Sequence, residues 1–220
     1  MALGGGTFVS QNKILPGSYI NFISLASADA ALSDRGVAAM ALDLDWGVDG
    51  EVFVVTREDF TKRSQEVFGY DYGHEKMKGL RDLFLNIHTL ITYKLSSGGV
   101  KAQNVYATAK HAGTRGNDLK IAIQPTVDNP SNFEVITYLG TRAVDEQIVS
   151  KETDLVANAY VTFKPGLTLG QAAATPLTGG TNGTVDGASH QSFLDKAESY
   201  SYNAMGVVSD EVAINKLYAT

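Results

Sequence analysis

The chain contains no cysteine in its 220 residues. That excludes disulfides, thiolate metal sites and cysteine nucleophiles, and it suits folding in a reducing cytoplasm. A cationic excess is lacking too: 18 Lys and Arg face 24 Asp and Glu, giving a net charge of −6. A nucleic-acid binder would present a basic face, so no nucleic-acid partner is expected and the charge is read as serving solubility. Long apolar runs are missing. The best stretch, Val37–Trp46, is short and carries Asp43 and Asp45. It falls well under the roughly 18 residues of a membrane helix, so no membrane insertion is expected. The opening Met1-Ala2-Leu3-Gly4-Gly5-Gly6 has neither the positive n-region nor the apolar h-region of a signal peptide.

Catalytic signatures are scarce as well. The four histidines, His74, His88, His111 and His190, form no H-E-x-x-H pair. His88 lies in an apolar run and reads as a packed, hydrogen-bonded residue. Asp43 and Asp45 fall on one face of a strand, because strand side chains alternate. Such a pair suits Mg²⁺ or a shared proton, but a solvated face is the simpler reading. The run Asp43–Glu51 mimics a calcium loop, yet its glycine sits at the wrong offset and Gly47 stands where a ligand belongs. No G-x-S-x-G elbow is present. Lys110–Asn117 is basic and glycine-rich; it reads either as an anion clamp or, more simply, as a loop between strands with glycines at positive φ. No enzyme activity, cofactor or metal is therefore expected.

What the chain does have is pattern. Hydrophobic residues make up 44% of it, enough for a substantial core. Residues 1–28 read as an arm, with strand-like Phe8-Val9 and Tyr19–Ile23 separated by the turn signal Pro16-Gly17. Such a segment gains most by adding a strand to another sheet's edge; the plainer alternative is an edge strand of its own domain. Residues 34–95 read as mixed α/β. Strands are expected at Gly36–Leu44, Glu51–Val55 and Thr89–Lys94, with helices at Asp59–Phe68 and His74–Leu85. In the second helix Met77, Leu80, Phe84 and Ile87 recur at helical spacing.

After the breaker Ser96-Ser97-Gly98-Gly99 the period changes to short strands at Asn104–Ala109, Leu119–Gln124, Phe133–Leu139, Ala143–Val149 and Ala159–Phe163. They predict an antiparallel β subdomain with a hairpin tip at Leu139-Gly140-Thr141 and a helical turn in Thr153–Asn158. Helical pattern returns at His190–Tyr200. A strand at Asn203–Val208 and a helix capped by Ser209-Asp210-Glu211 follow. The glycine-rich turn Leu177-Thr178-Gly179-Gly180-Thr181-Asn182-Gly183 precedes this last unit. It has neither the Lys-Ser/Thr of a P-loop nor dinucleotide spacing, and reads as a hinge between two units.

Three segments resemble the PBSX-like branch of contractile phage tail sheath proteins. They are Gly6-Thr7-Phe8 through Leu15-Pro16-Gly17-Ser18-Tyr19-Ile20-Asn21-Phe22, then Ala109 with Gly113-Thr114-Arg115-Gly116-Asn117-Asp118-Leu119, and then Leu177–Gly183 leading to Phe193-Leu194 and Tyr200. Arg35-Gly36 and Asp45-Trp46-Gly47 fit the same pattern. The resemblance implies an α+β fold: a discontinuous α/β core (29–95 and 181–220), an inserted antiparallel β-rich subdomain (96–180) and an extended N-terminal arm (1–28). It implies a structural subunit of helically stacked six-subunit rings, contracting around a tail tube, in a phage or phage-like particle assembled in the bacterial cytoplasm. Its partners would be other copies, the tube protein, the baseplate and the tail terminator. Phe8, Tyr19, Ile20 and Phe22 would be the inter-subunit grip, and Gly179, Gly180 and Gly183 the domain junction. Family members continue past Thr220, so the resemblance also implies a fragment. A β-rich binding or surface-array module is the alternative.

Overall fold

The computed structural model describes residues 36–219. The expected arm residues Phe8, Tyr19, Ile20 and Phe22 lie outside the described residues. Strands and helices mix in several sheets. In chain order the elements are β1 (Val37–Leu42), β2 (Val52–Thr56), α1 (Arg57–Phe68), α2 (Lys78–Phe84), β3 (Thr89–Lys94), β4 (Ala107–Ala109), β5 (Leu119–Pro125), β6 (Phe133–Leu139), β7 (Arg142–Val149), β8 (Val161–Phe163), β9 (Ala172–Pro176), α3 (Gly187–Ala197), β10 (Ala204–Gly206) and α4 (Val212–Leu217).

The first sheet runs β10-β1-β3-β2. β1 pairs in parallel with β3, from Val37 opposite Thr89 to Leu42 opposite Lys94, and with β10 on its other side; β2 is antiparallel to β3. Both faces of this sheet are covered, and the alternation of side chains decides which residue goes where. Ala38, Val55 and Leu90 join Phe60, Phe68, Leu80 and Phe84 of α1 and α2 on one face. Ala39, Ala41, Ile91 and Tyr93 meet Phe193 and Ala197 of α3 on the other. Two-sided burial is why β1 reads as a near-continuous apolar run and why β3 is buried from Leu90 to Lys94.

α1 is a well-signalled helix. Thr56 caps it and Asp59 returns the bond in a reciprocal capping box, while Gly69 ends it at φ 79° with its N–H on the Gln65 carbonyl. The expected single helix His74–Leu85 is instead a 3₁₀ turn, Glu75–Met77, followed by α2. His74 Nδ1 accepts the Lys76 N–H at 3.2 Å. Gly79 also sits in the short helix that follows, where it lowers helix propensity.

The β-rich part comprises the four-stranded sheet β7-β6-β5-β9 and the small pair β4-β8. Their facing side chains, among them Leu119, Ile121, Ile123, Val135, Ala107 and Val161, form one buried cluster. The tip residue Gly140 has φ 66°, as a tight turn between β6 and β7 requires. β9 is a strand that pattern reading misses. Its Ala172-Ala173-Ala174-Thr175-Pro176 run has low strand propensity and is mostly exposed, so backbone pairing to β5 places it there. Between β7 and β8 the helical turn is Glu152–Asp154, a residue ahead of its expected range.

α3 starts three residues earlier than its apolar periodicity predicts, because Asp186 caps it through the Ser189 N–H at 2.8 Å. At α4 the Ser209 hydroxyl accepts the Glu211 N–H, but Glu211 itself makes no capping bond. His88, expected to be packed, is exposed beside Thr89 at 2.7 Å. The buried histidine is His190, whose Nδ1 lies 2.9 Å from the Tyr218 hydroxyl.

Candidate functional site

The chain leaves the α/β sheet after β3 and returns before α3, and the two crossings lie side by side. Val100 and Thr181 exchange backbone bonds at 3.0 Å each way, and the Gly183 N–H reaches the Ser96 carbonyl at 3.0 Å. Gln103 and Thr178 exchange a second pair at 2.9 and 3.0 Å. The contact is backbone against backbone. A Cβ on Gly183 would overlap the Ser97 carbonyl, and one on Gly113 would overlap the Asp45 carbonyl, so glycine is required at both places. Gly180 is clasped by Asn117, whose side-chain amide accepts the Gly180 N–H at 2.8 Å and donates to its carbonyl at 2.9 Å. Gly179 turns at φ 80° with open space beside it. Gly179, Gly180 and Gly183 all lie in the segment between β9 and α3.

Side chains reinforce this crossing. Trp46, from the loop after β1, is 1% exposed and belongs to the apolar cluster of the β-rich part. Its Nε1 donates to the Glu66 carbonyl of α1 at 2.9 Å, and the His111 ring meets it edge-on at 5.0 Å. One residue thus spans both parts, with an apolar body and a satisfied polar tip. Arg115 donates from Nε to the Gly69 carbonyl at 2.8 Å and pairs with Asp118 at 2.7 Å, while its guanidinium lies 4.4 Å from the Tyr70 ring centre. The Tyr70 hydroxyl donates to Asp45 at 2.5 Å, and Lys76 Nζ reaches both at 2.7 and 2.8 Å. Burial, with the Asp45 carboxylate second, raises the Tyr70 pKa. The same cluster raises that of Lys76, chiefly through Asp45. The basic loop 110–117 has therefore committed its arginine to internal partners.

Lys94 closes the junction from below. Its side chain is 0% exposed; Nζ donates to the Ala112 carbonyl at 2.6 Å and lies 2.9 Å from Asp49 Oδ1. That Oδ1 has no aligned hydrogen bond, so the pair is held by charge rather than by directed bonding. Ser96 adds a bond from its hydroxyl to the Leu44 carbonyl.

Asp43 and Asp45 do not act together: Asp45 is engaged with Tyr70 and Lys76, and Asp43 points to solvent. Among the described residues no group of three His, Asp or Glu could hold a metal ion, and no helix is long and apolar enough to cross a membrane. Sequence reasoning did not single out Lys94 or Arg115 as structural, since a strand-end lysine and a loop arginine carry no local mark of burial.

One consequence is a pH dependence. Burial, helped by Lys110, Lys101 and Lys94, pushes the His111 pKa down from 6.5 to about 4. The unfolded chain therefore takes up a proton before the folded one does. The His111 contribution should be constant above about pH 6.5, should fall by up to about 3 kcal/mol toward pH 4, and should level off below that. Urea titrations at pH 7, 5.5 and 4 check this, and His111→Asn should flatten the slope. His190, lowered by its burial, acts in the same direction. An unchanged slope in the variant would clear His111 of the role.

Comparison with known proteins agrees with the geometry. Residues 87–182 match the phage tail sheath protein beta-sandwich domain. Over 93% of its length the chain is 31% identical to the phage-like element PBSX protein XkdK of Bacillus subtilis, covering 48% of that protein. The uncharacterized protein YqbK of the same organism is 31% identical with the same coverage. Among solved structures, a sheath tail protein from Desulfitobacterium hafniense superposes with a TM-score of 0.76 at 29% identity, over 92% of this chain and 48% of that one. A second, from Listeria innocua, gives 0.71 at 26% identity, over 89% and 47%. The chain spans about half the length of the curated relatives it matches.

Proposed function

We propose that this chain, similar over 93% of its length to the PBSX protein XkdK and matched at residues 87–182 by the phage tail sheath protein beta-sandwich domain, belongs to the structural subunit of a contractile sheath, with no catalytic role. Subunits assemble as six-membered rings stacked helically around a tail tube, and their contraction drives the tube through a host envelope. Other copies, the tube protein, the baseplate and the tail terminator are its partners, and assembly takes place in the bacterial cytoplasm. The observation that carries this reading is the sheath β-sandwich match at residues 87–182; beside it, β1 pairs with β3, which lies before residues 96–180, and with β10, which lies after them. It supports a discontinuous core of residues 29–95 and 181–220, carrying residues 96–180 as an insertion. Gly179, Gly180 and Gly183 would then shape the junction.

The extended sheath would be a metastable lattice behind a barrier, with near-rigid subunits rotating past one another. Tethers keep neighbours joined during that motion. Residues 1–28 are the donated strand, gripping through Phe8, Tyr19, Ile20 and Phe22. About six net hydrogen bonds at roughly 0.5–1.5 kcal/mol each give on the order of 3–9 kcal/mol before ordering costs, and several tethers per subunit raise effective concentration further. Deleting residues 1–25 from the assembling protein should leave a folded subunit by circular dichroism and abolish tubes in electron micrographs. Normal polymers from the deleted protein would remove the arm from the mechanism.

A further inference from the structure

The α/β sheet changes winding direction at β1. The connection from β1 to β3 carries α1 and α2 over one face, and the connection that ends at β10 brings α3 over the other. Where such crossovers part, a crevice opens outside the carboxyl ends of the strands, and ligands favour that place. Here it is a trough of two cavities, about 700 and about 370 Å³, which share Leu42, Asp43 and Val208. Its walls mix apolar and charged residues; the apolar share includes Leu80 on one side and Leu95 and Ile214 on the other. Val208 is 74% exposed at its edge.

The charges of the trough select against phosphates and nucleotides. Asp43, Asp186 and Glu211 line it. Its one cation, Lys76, is already held by Asp45 and Tyr70. Asp43 and Glu211 enter no ion pair among the described residues, and Asp186 is used as the α3 cap. The fitting occupant is therefore an extended peptide with a cation flanked by apolar side chains. Of the two cationic side chains that precede the described residues, Lys13 and Arg35, only Lys13 is followed directly by apolar side chains, Ile14, Leu15 and Pro16.

We propose that the trough at the carboxyl ends of β1 and β10 receives Lys13-Ile14-Leu15 of a second copy of this chain, with Lys13 against Asp43 and the two aliphatic residues on the apolar wall beside Val208. The proposal rests on the arm reading above and gives it an address and a register. It is separate from strand addition by Tyr19–Phe22, which needs a sheet edge and not a trough.

The test uses a fluorescent peptide of residues 10–22 titrated into the full 220-residue chain and followed by anisotropy. Saturable binding that weakens with salt is expected. Asp43→Lys should weaken it at least tenfold, and a Lys13→Glu peptide should regain affinity for the Asp43→Lys chain. Val208→Trp, at an exposed position that does not threaten folding, should also block the peptide. Binding that is absent, that a scrambled peptide reproduces, or that Asp43→Lys and Val208→Trp leave unchanged would overturn the proposal. The arm-deletion experiment reads the arm's role separately: loss of tubes on deletion together with an indifferent Asp43→Lys chain would keep the arm and reject the trough.

Discussion

Replacing Trp46 by alanine should lower the stability of the chain by about 3–5 kcal/mol, the range for removing a large aromatic from a packed interior. The expectation is at the upper end. Trp46 is 1% exposed and packs in the apolar cluster of the β-rich part, and its indole also satisfies the Glu66 carbonyl at the far end of α1. Alanine leaves a cavity in the β-rich part and an unpaired carbonyl in the α/β part at once. Urea denaturation followed by circular dichroism measures the loss. The unsubstituted protein offers an independent check, because Trp46 is its only tryptophan. If the junction joins the two parts into one cooperative unit, indole fluorescence and far-ultraviolet ellipticity will report coincident transitions. Separated transitions, or a loss under 1 kcal/mol on substitution, would mean that the parts are joined by chain and little else.

Lys94→Met should cost about 2–4 kcal/mol. Breaking a buried ion pair by removing one partner typically costs about 3–5 kcal/mol, because the other charge is left uncompensated. The figure is reduced here because the Asp49 side chain is 32% exposed and water can take over part of its solvation. Methionine keeps most of the volume, which separates the electrostatic effect from a cavity. The Ala112 carbonyl, 2.6 Å from the ammonium, loses its donor in the same step. Adding Asp49→Asn should then recover part of the loss, with a coupling of about 1–2 kcal/mol between the two sites. If the double variant were as unstable as the sum of the singles, Lys94 would be acting through Ala112 alone.

These predictions concern residues that differ greatly in how far the sequence announced them. Asp45-Trp46-Gly47 was legible as part of a family resemblance, and so was Gly113–Leu119. The cluster that Trp46 enters was not, because its other members lie beyond residue 100. Lys94 closes a strand whose β-branched and aromatic residues announce it well. Yet its burial depends on the loop carrying Ala112, which nothing in the strand encodes. The glycines at 179, 180 and 183 advertise freedom, and two of them are used for closeness instead. Gly180 sits in the grip of Asn117, and Gly183 lies against the backbone of residues 96 and 97.

By itself the sequence determined most of the local order of elements and the resemblance to tail sheath proteins. The period-two and period-3.6 patterns are carried by neighbouring residues, and caps such as Thr56 with Asp59 lie three positions apart, so short stretches suffice to specify them. The tertiary structure alone decided how the β-rich part is fastened to the α/β sheet. Arg115 reaches back 46 positions to Gly69 and Asn117 forward 63 to Gly180. Such contacts have no period and no composition signature, because they join residues far apart in the chain that only the tertiary fold brings within 3 Å.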